Sequence, residues 1–98
     1  MSLSNSQKRY LRGLAHGLSP IIQVGNKGVT PSLIKEFGNA LAQHELVKVK
    51  VAGDDRDARK EHIDALAAEV EAEVVQRIGH VATYFRRNKE EPKIALPK

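Results

Sequence analysis

The hexapeptide Leu46-Val47-Lys48-Val49-Lys50-Val51 constrains the fold more than any other part of this 98-residue chain. Valine falls on every second position and lysine fills the gaps. A period of two places Val47, Val49 and Val51 on one face of an extended strand and Lys48 and Lys50 on the other. A helix would spread the same residues around its circumference. The chain must therefore build a sheet with an apolar face, and the lysine face is expected to be open to solvent.

Helical patterns flank this strand. Thr30 is a good N-cap and Pro31 a good first helical residue. Leu33, Ile34, Phe37 and Leu41 then recur at helical spacing, and the helix is predicted to end near His44. Gly38 inside it costs roughly 1 kcal/mol against alanine, which points to another backbone packed close. After the strand, Gly53-Asp54-Asp55 turns the chain and caps a helix with the stripe Ile63, Leu66, Ala67 and Val70. Near the N-terminus, Ser4 and Gln7 have capping-box spacing. A helix is predicted from about Ser6 to His16, with Leu11, Leu14, Ala15 and Leu18 as its buried stripe. Gly17 and Pro20 end it. Ile21-Ile22-Gln23-Val24 is a short strand. Val74 to Ile78 and Val81 to Phe85 are two further β-prone runs, joined by Gly79-His80 as a tight hairpin turn.

The predicted order is α-β-α-β-α-β-β in a single α/β domain. Strand–helix–strand units favour parallel neighbours, and the last two strands should be antiparallel. The expected architecture is a four-stranded mixed sheet with the helices on one face. The domain is expected to cover residues 1–88. Residues 89–98 are rich in Lys, Glu and Pro, lack periodicity, and are expected to be an extended or disordered tail.

Composition narrows the function. With 41% hydrophobic and 29% charged residues, the chain reads as globular rather than disordered. The absence of cysteine excludes disulfides and thiolate metal sites, and fits a reducing compartment, so a cytoplasmic location is expected. Apolar runs are no longer than stretches such as Ala65-Leu66-Ala67-Ala68, which argues against a membrane partner. No signal-peptide core is present at the N-terminus. No acid precedes Glu36, but Leu11, Leu14 and Leu18 read as part of the fold rather than of a transit peptide.

Charge is distributed unevenly. Residues 54–73 hold eight acids and three bases, a net charge of −5, whereas the whole chain carries +4. The remainder therefore carries +9, the pattern of a protein with one side facing a polyanion. The acidic segment is expected to point away from that partner.

The turn Gly25-Asn26-Lys27-Gly28 sits between a strand and a helix start. The first N–H groups of a helix lack internal partners and carry the positive end of its dipole. Glycines let a phosphate approach the backbone, and Lys27 adds a mobile charge. KH domains clamp an RNA backbone with such a Gly-x-x-Gly loop. An isolated Gly-x-x-Gly is more often a plain turn, but the position before Thr30-Pro31 favours a site. At the other end of the chain, Tyr84-Phe85-Arg86-Arg87 pairs aromatic rings with guanidinium groups, a combination recurrent in RNA binding and equally compatible with packing.

Other chemistries fail on spacing. A Walker loop needs glycine where Thr30 stands, and the metalloprotease pattern after His44-Glu45 meets Lys48 instead of histidine. His16, His44, His62 and His80 fall on four different elements, so no metal or other cofactor is expected. No serine or threonine sits in a nucleophile-elbow context.

Four blocks now stand in order: Tyr10 to Pro20, Val24 to Thr30, His44 to Val51 and Gly79 to Arg87. Together they resemble the chloroplast RNA splicing and ribosome maturation (CRM) domain, in its stand-alone bacterial YhbY-type form. The resemblance covers all but the tail. It implies a fold similar to the C-terminal domain of translation initiation factor three. It also implies RNA binding without catalysis, in association with precursors of the large ribosomal subunit. The family's Gly-x-x-Gly loop maps onto Gly25, Asn26, Lys27 and Gly28. Many members carry a basic residue where this chain has Asn26, which shifts phosphate contact toward Lys27 and the backbone. The family's basic first helix matches Lys8, Arg9 and Arg12.

The expected RNA-binding set is Lys8, Arg9, Arg12, Gly25, Asn26, Lys27, Gly28, Thr30, Arg86 and Arg87. The expected partner is ribosomal precursor RNA, with pre-ribosomal proteins as further candidates, and the chain is expected to be monomeric. A protein adaptor using the open sheet face and a phosphate-handling enzyme are the competing readings.

Overall fold

Local chemistry starts the first helix. The Ser4 hydroxyl accepts the Gln7 N–H at 3.1 Å, and the Gln7 side chain accepts the Ser4 N–H at 2.9 Å. Two otherwise orphaned donors are thus satisfied reciprocally, and helix α1 spans Asn5–Ala15. The computed structural model describes residues 3–25 and 27–97. After α1 come β1 (Ile22–Val24), α2 (Pro31–His44), β2 (Leu46–Val51), α3 (Arg56–Val70), β3 (Glu73–Ile78) and β4 (Val81–Phe85). The order is the one read from the sequence. The strands form one mixed sheet, β1-β2-β4-β3, in which β1 runs parallel to β2 and the other neighbours are antiparallel.

Val47, Val49 and Val51 face α2 and α3, where Phe37, Leu41, Ile63 and Leu66 complete the main core. Phe37 meets the Tyr84 ring edge-on at 4.8 Å between centroids. The Tyr84 hydroxyl donates to the Ile63 carbonyl at 2.9 Å, so this buried polar atom is satisfied. Burial pushes the Tyr84 phenol well above its ordinary pKa.

The lysine face is covered over part of its length, and the helices lie on both faces of the sheet rather than on one. Leu46 shares a face with Lys48. Together with Phe85 and Val75 it forms a second cluster, onto which Leu11 and Ala15 of α1 pack. Three separate strands contribute to this cluster, so no single periodic segment announces it. Along β3, Val74 packs against the main core and the next residue, Val75, against the second cluster, as alternation in a strand requires. Lys48 does not simply project into water. Its ammonium donates to the Ala15 and Leu18 carbonyls at 3.1 and 3.2 Å, placing a cation at the carbonyl end of α1. The buried stripe of α1 is narrower than its sequence predicts, because Leu14 and Leu18 are 40% and 42% exposed. Gly38 is not wedged against a neighbouring backbone either; the space beside it is open.

Glu45 organises the chain after β4. It follows α2 with φ 61° and ψ −39° and is fully buried. Its carboxylate accepts the N–H groups of Asn88, Lys93 and Ile94 at 2.6, 2.7 and 2.8 Å, and the Arg87 guanidinium at 3.3 Å. Burial alone would raise its pKa, but these donors outweigh burial and hold the carboxyl below its ordinary range. Residues 86–97 contain no helix or strand. Ile94 and Leu96 nevertheless pack against the second cluster, and the Gln7 amide donates to the Pro97 carbonyl at 3.0 Å.

Candidate functional site

At Val24 the first strand ends, and the chain must turn into α2 beyond the end of the sheet. The Ala52 N–H donates to the Val24 carbonyl at 2.8 Å, and the Gly28 N–H donates to the Gly25 carbonyl at 3.0 Å, closing a four-residue turn. Asn26, assigned to the site from the sequence, lies outside the described residues. Gly28 has φ +73°, in the left-handed region. A side-chain carbon built there would lie 3.0 Å from Nε2 of His62, whose ring comes from α3. Backbone conformation and a close neighbour therefore both favour glycine at this position. His62 was invisible as a neighbour of the turn in the sequence, because no spacing rule links α3 to the end of β1.

Thr30 completes the approach to α2. Its hydroxyl accepts the Leu33 N–H at 3.2 Å, and Pro31 occupies the first helical turn. The turn and the helix start share a shallow cleft of about 420 Å³ lined by Gln23, Gly25, Lys27, Gly28, Thr30 and Leu33. Among the described residues no acid lines it, and Lys27 is exposed. The positive end of the α2 dipole and the Lys27 ammonium beside a glycine-lined hollow suit an anion such as a phosphate, while Pro31 has no N–H and the Leu33 N–H is taken by Thr30. Among the described residues, no three His, Asp or Glu side chains gather to hold a metal.

The other basic residues of the expected set are not gathered at this turn. Helix α1, with Lys8, Arg9 and Arg12, packs on the opposite face of the sheet against β2 and β3. Arg12 lies beside Gln76 and Arg77 at the β3 edge, whereas the turn follows β1 at the other edge. The basic face expected to centre on the turn is therefore divided between the two edges.

Arg86 and Arg87 are engaged in holding the fold. Arg86 donates to the Val70 carbonyl at 2.9 Å and to the Gly38 carbonyl at 2.8 Å, tying the end of α3 to the middle of α2. Arg87 lies 5.6 Å from the Phe85 ring centre and bonds both Glu45 and the Ile94 carbonyl. They follow Phe85, which pairs with Leu46 at one end of β2; the glycine turn follows Val24, which pairs with Val51 at the other. Packing thus accounts for the aromatic–arginine pattern, and these two residues stand apart from the site.

The chain matches the family model described as the CRS1 / YhbY (CRM) domain over residues 3–86. It is 46% identical over 97 residues to a Haemophilus influenzae protein named "RNA-binding protein", a match covering 99% of this chain and 97% of the relative. It is 38% identical over 95 residues to the Bacillus subtilis "Probable RNA-binding protein YqeI", covering 97% and 99%. Among solved structures, that of the Staphylococcus aureus protein SAV1595, described as a candidate RNA binder, matches with a TM-score of 0.84. The two chains share 40% identity, over 98% of this chain and all of the other.

Proposed function

Because the chain belongs to the CRS1/YhbY (CRM) domain family, we propose that it is a non-catalytic protein that binds RNA through the Gly25–Gly28 turn. The observation that carries this reading is the cleft at the turn, where Lys27 and the start of α2 surround a hollow without an acid among the described residues. A phosphate suits this lining, and among its described residues nothing offers a nucleophile activated by a base. The RNA-binding names of the relatives support the same reading. In finer detail, the proposed ligand is structured precursor RNA of the large ribosomal subunit, and the proposed setting is a monomer acting in the cytoplasm during subunit assembly.

A protein adaptor is the second reading. One observation favours it: a cleft of about 460 Å³ on the α1 side, lined by the exposed side chains of Leu14, Leu18 and Ile21 together with Leu46 and Ile94. An adaptor would bind its partner with little dependence on salt, whereas a phosphate binder releases counterions and weakens steeply as salt rises.

Lys27→Ala provides the test. A phosphate contact carries no base information, so affinity is expected to fall by a similar factor across RNA sequences. The slope of log affinity against log salt is expected to become shallower by about one unit. Filter binding over a salt series measures both. Lost affinity with an unchanged slope would contradict a phosphate contact at Lys27.

A further inference from the structure

We propose that a second phosphate-binding cluster stands across the same end of the sheet, formed by Arg56, Arg59 and Lys60 of α3 with Arg77 of β3, and that it engages the RNA strand a few nucleotides from the glycine turn. The proposal rests on the RNA-binding reading above and extends it to a region whose net charge argues against it.

The segment 54–73 looks hostile to RNA because its acids outnumber its bases. Its three bases, however, are not dispersed among those acids. Arg56, Arg59 and Lys60 are spaced i, i+3 and i+4 along α3, which puts them on one helical face. Together with Asp57, Ile63, Arg77 and Gly79 they line a single cleft of about 310 Å³. Asp64 stands at its side and pairs with Lys60 at 3.1 Å and Arg77 at 3.5 Å. Four cations against Asp57 and Asp64 leave the cleft with a net charge of +2.

The pairs within the cluster leave it open to a ligand. The Lys60 and Arg77 side chains are 60% and 41% exposed, and Asp64 is 50% exposed. Ion pairs at such exposure contribute little, so a phosphate can draw on the same donors at small cost. Arg59 is directed differently, donating to the Gly53 carbonyl at 2.8 Å, and this fixes its guanidinium beside the turn before α3.

Hydrogen bonding ties the cluster to the end of the sheet that carries the glycine turn. Gly79, which lines the cleft, leads into His80. The His80 carbonyl accepts the Val51 N–H at 2.7 Å, and His80 Nδ1 lies 3.0 Å from the Val51 carbonyl. Val51 in turn pairs with Val24, the residue before Gly25. Three strand spacings of roughly 4.8 Å, about 14 Å in all, separate the edge strands β1 and β3. Successive phosphates of a stacked strand rise by about 3.4 Å, so about four nucleotides bridge the two clusters.

The experiment compares single-stranded oligoribonucleotides of about two and about ten nucleotides, too short and long enough to reach both clusters. Binding is measured by fluorescence anisotropy over a salt series for the parent, Lys27→Ala, and the triple variant Arg56→Ala, Lys60→Ala, Arg77→Ala. All three replaced side chains are exposed, and thermal melting checks that the variant folds. The triple variant is expected to lose about tenfold affinity for the long oligomer, to lose about two units of salt slope on it, and to bind the short one like the parent. Lys27→Ala is expected to weaken both lengths. Asp57→Asn, which removes an acid from the cleft, is expected to tighten binding of the long oligomer, and this variant decides the matter should the triple variant not fold. Parent-like binding of the long oligomer by the triple variant overturns the second cluster and leaves the glycine turn standing. So does an equal loss on both lengths, or unchanged or weaker binding by Asp57→Asn. A parent protein that binds neither length overturns the second cluster, and one that also fails to bind a structured RNA in the same assay overturns the RNA reading itself.

Discussion

Replacing Asn26 and Lys27 together with Asp is expected to lower RNA affinity by about two orders of magnitude while barely changing stability. The cleft at the turn holds the ammonium of Lys27 and, among the described residues, no acid. The double change removes that charge and adds two carboxylates to the turn at which the proposed phosphate contact is made. Loss of a hydrogen bond to a charged group costs about 1.5–3 kcal/mol, and each 1.4 kcal/mol is about tenfold in affinity; repulsion adds to the loss. The free protein has no comparable reason to suffer. Gly25 and Gly28 remain, so the backbone keeps the left-handed residue that closes the turn. Carboxylates near a helix N-terminus interact favourably with its dipole. Thermal melting and filter binding on one preparation separate the two effects. A variant that melts normally and binds RNA like its parent would show that the turn merely connects β1 to α2.

The largest loss of stability is expected at Glu45, far from that turn. Glu45→Ala removes the acceptor shared by three backbone N–H groups and the Arg87 guanidinium. Removing one partner from a buried ionic network costs about 3–5 kcal/mol. The lower end applies, because the released segment can find water. A loss of about 3 kcal/mol lowers the melting temperature of a domain of this size by about 15 °C. The same residue sets an acid limit. Its carboxyl is held below the ordinary value of 4.5 in the folded protein. The stabilisation it provides is therefore complete above that value and is lost as pH falls through the folded pKa. Melting temperatures of the parent are expected to fall in that acid range. Glu45→Gln is expected to melt lower near neutrality and to show less of the acid-dependent fall. A parent-like melting curve for Glu45→Ala would mean that residues 88–94 contribute nothing to the fold.

Comparison of these two regions shows what the sequence made legible. The capping box at Ser4, the Thr30-Pro31 helix start, the alternation of β2 and the Gly79-His80 hairpin are local devices, with partners a few residues apart. Each was readable because spacing along the chain equals geometry in a helix, strand or turn. The placement of α1 was not, since the apolar patch under Leu11 is assembled from Leu46, Val75 and Phe85 on three strands. Arg86 and Arg87 looked like ligands for RNA because their partners, the carbonyls of Gly38, Val70 and Ile94 and the carboxylate of Glu45, are contributed by other segments. Glu45 itself drew notice only as part of a histidine–glutamate spacing that led nowhere. The glycine turn was legible, but not the close neighbour that favours glycine at Gly28, because His62 arrives from α3. Net charge hid an arrangement in the same way: it describes α3 as acidic, while its bases line one cleft with Arg77.

The central claim is that RNA meets this protein at the glycine turn, and amide chemical shifts followed during titration with a single-stranded oligoribonucleotide test it most directly. In low salt, the expected result is a set of shifts concentrated at Gly25, Lys27, Gly28 and the first turn of α2, saturating with the affinity seen in filter binding and receding as salt is raised. Shifts confined to the Arg86–Arg87 end of the sheet, with the amides of the turn unmoved, would contradict it.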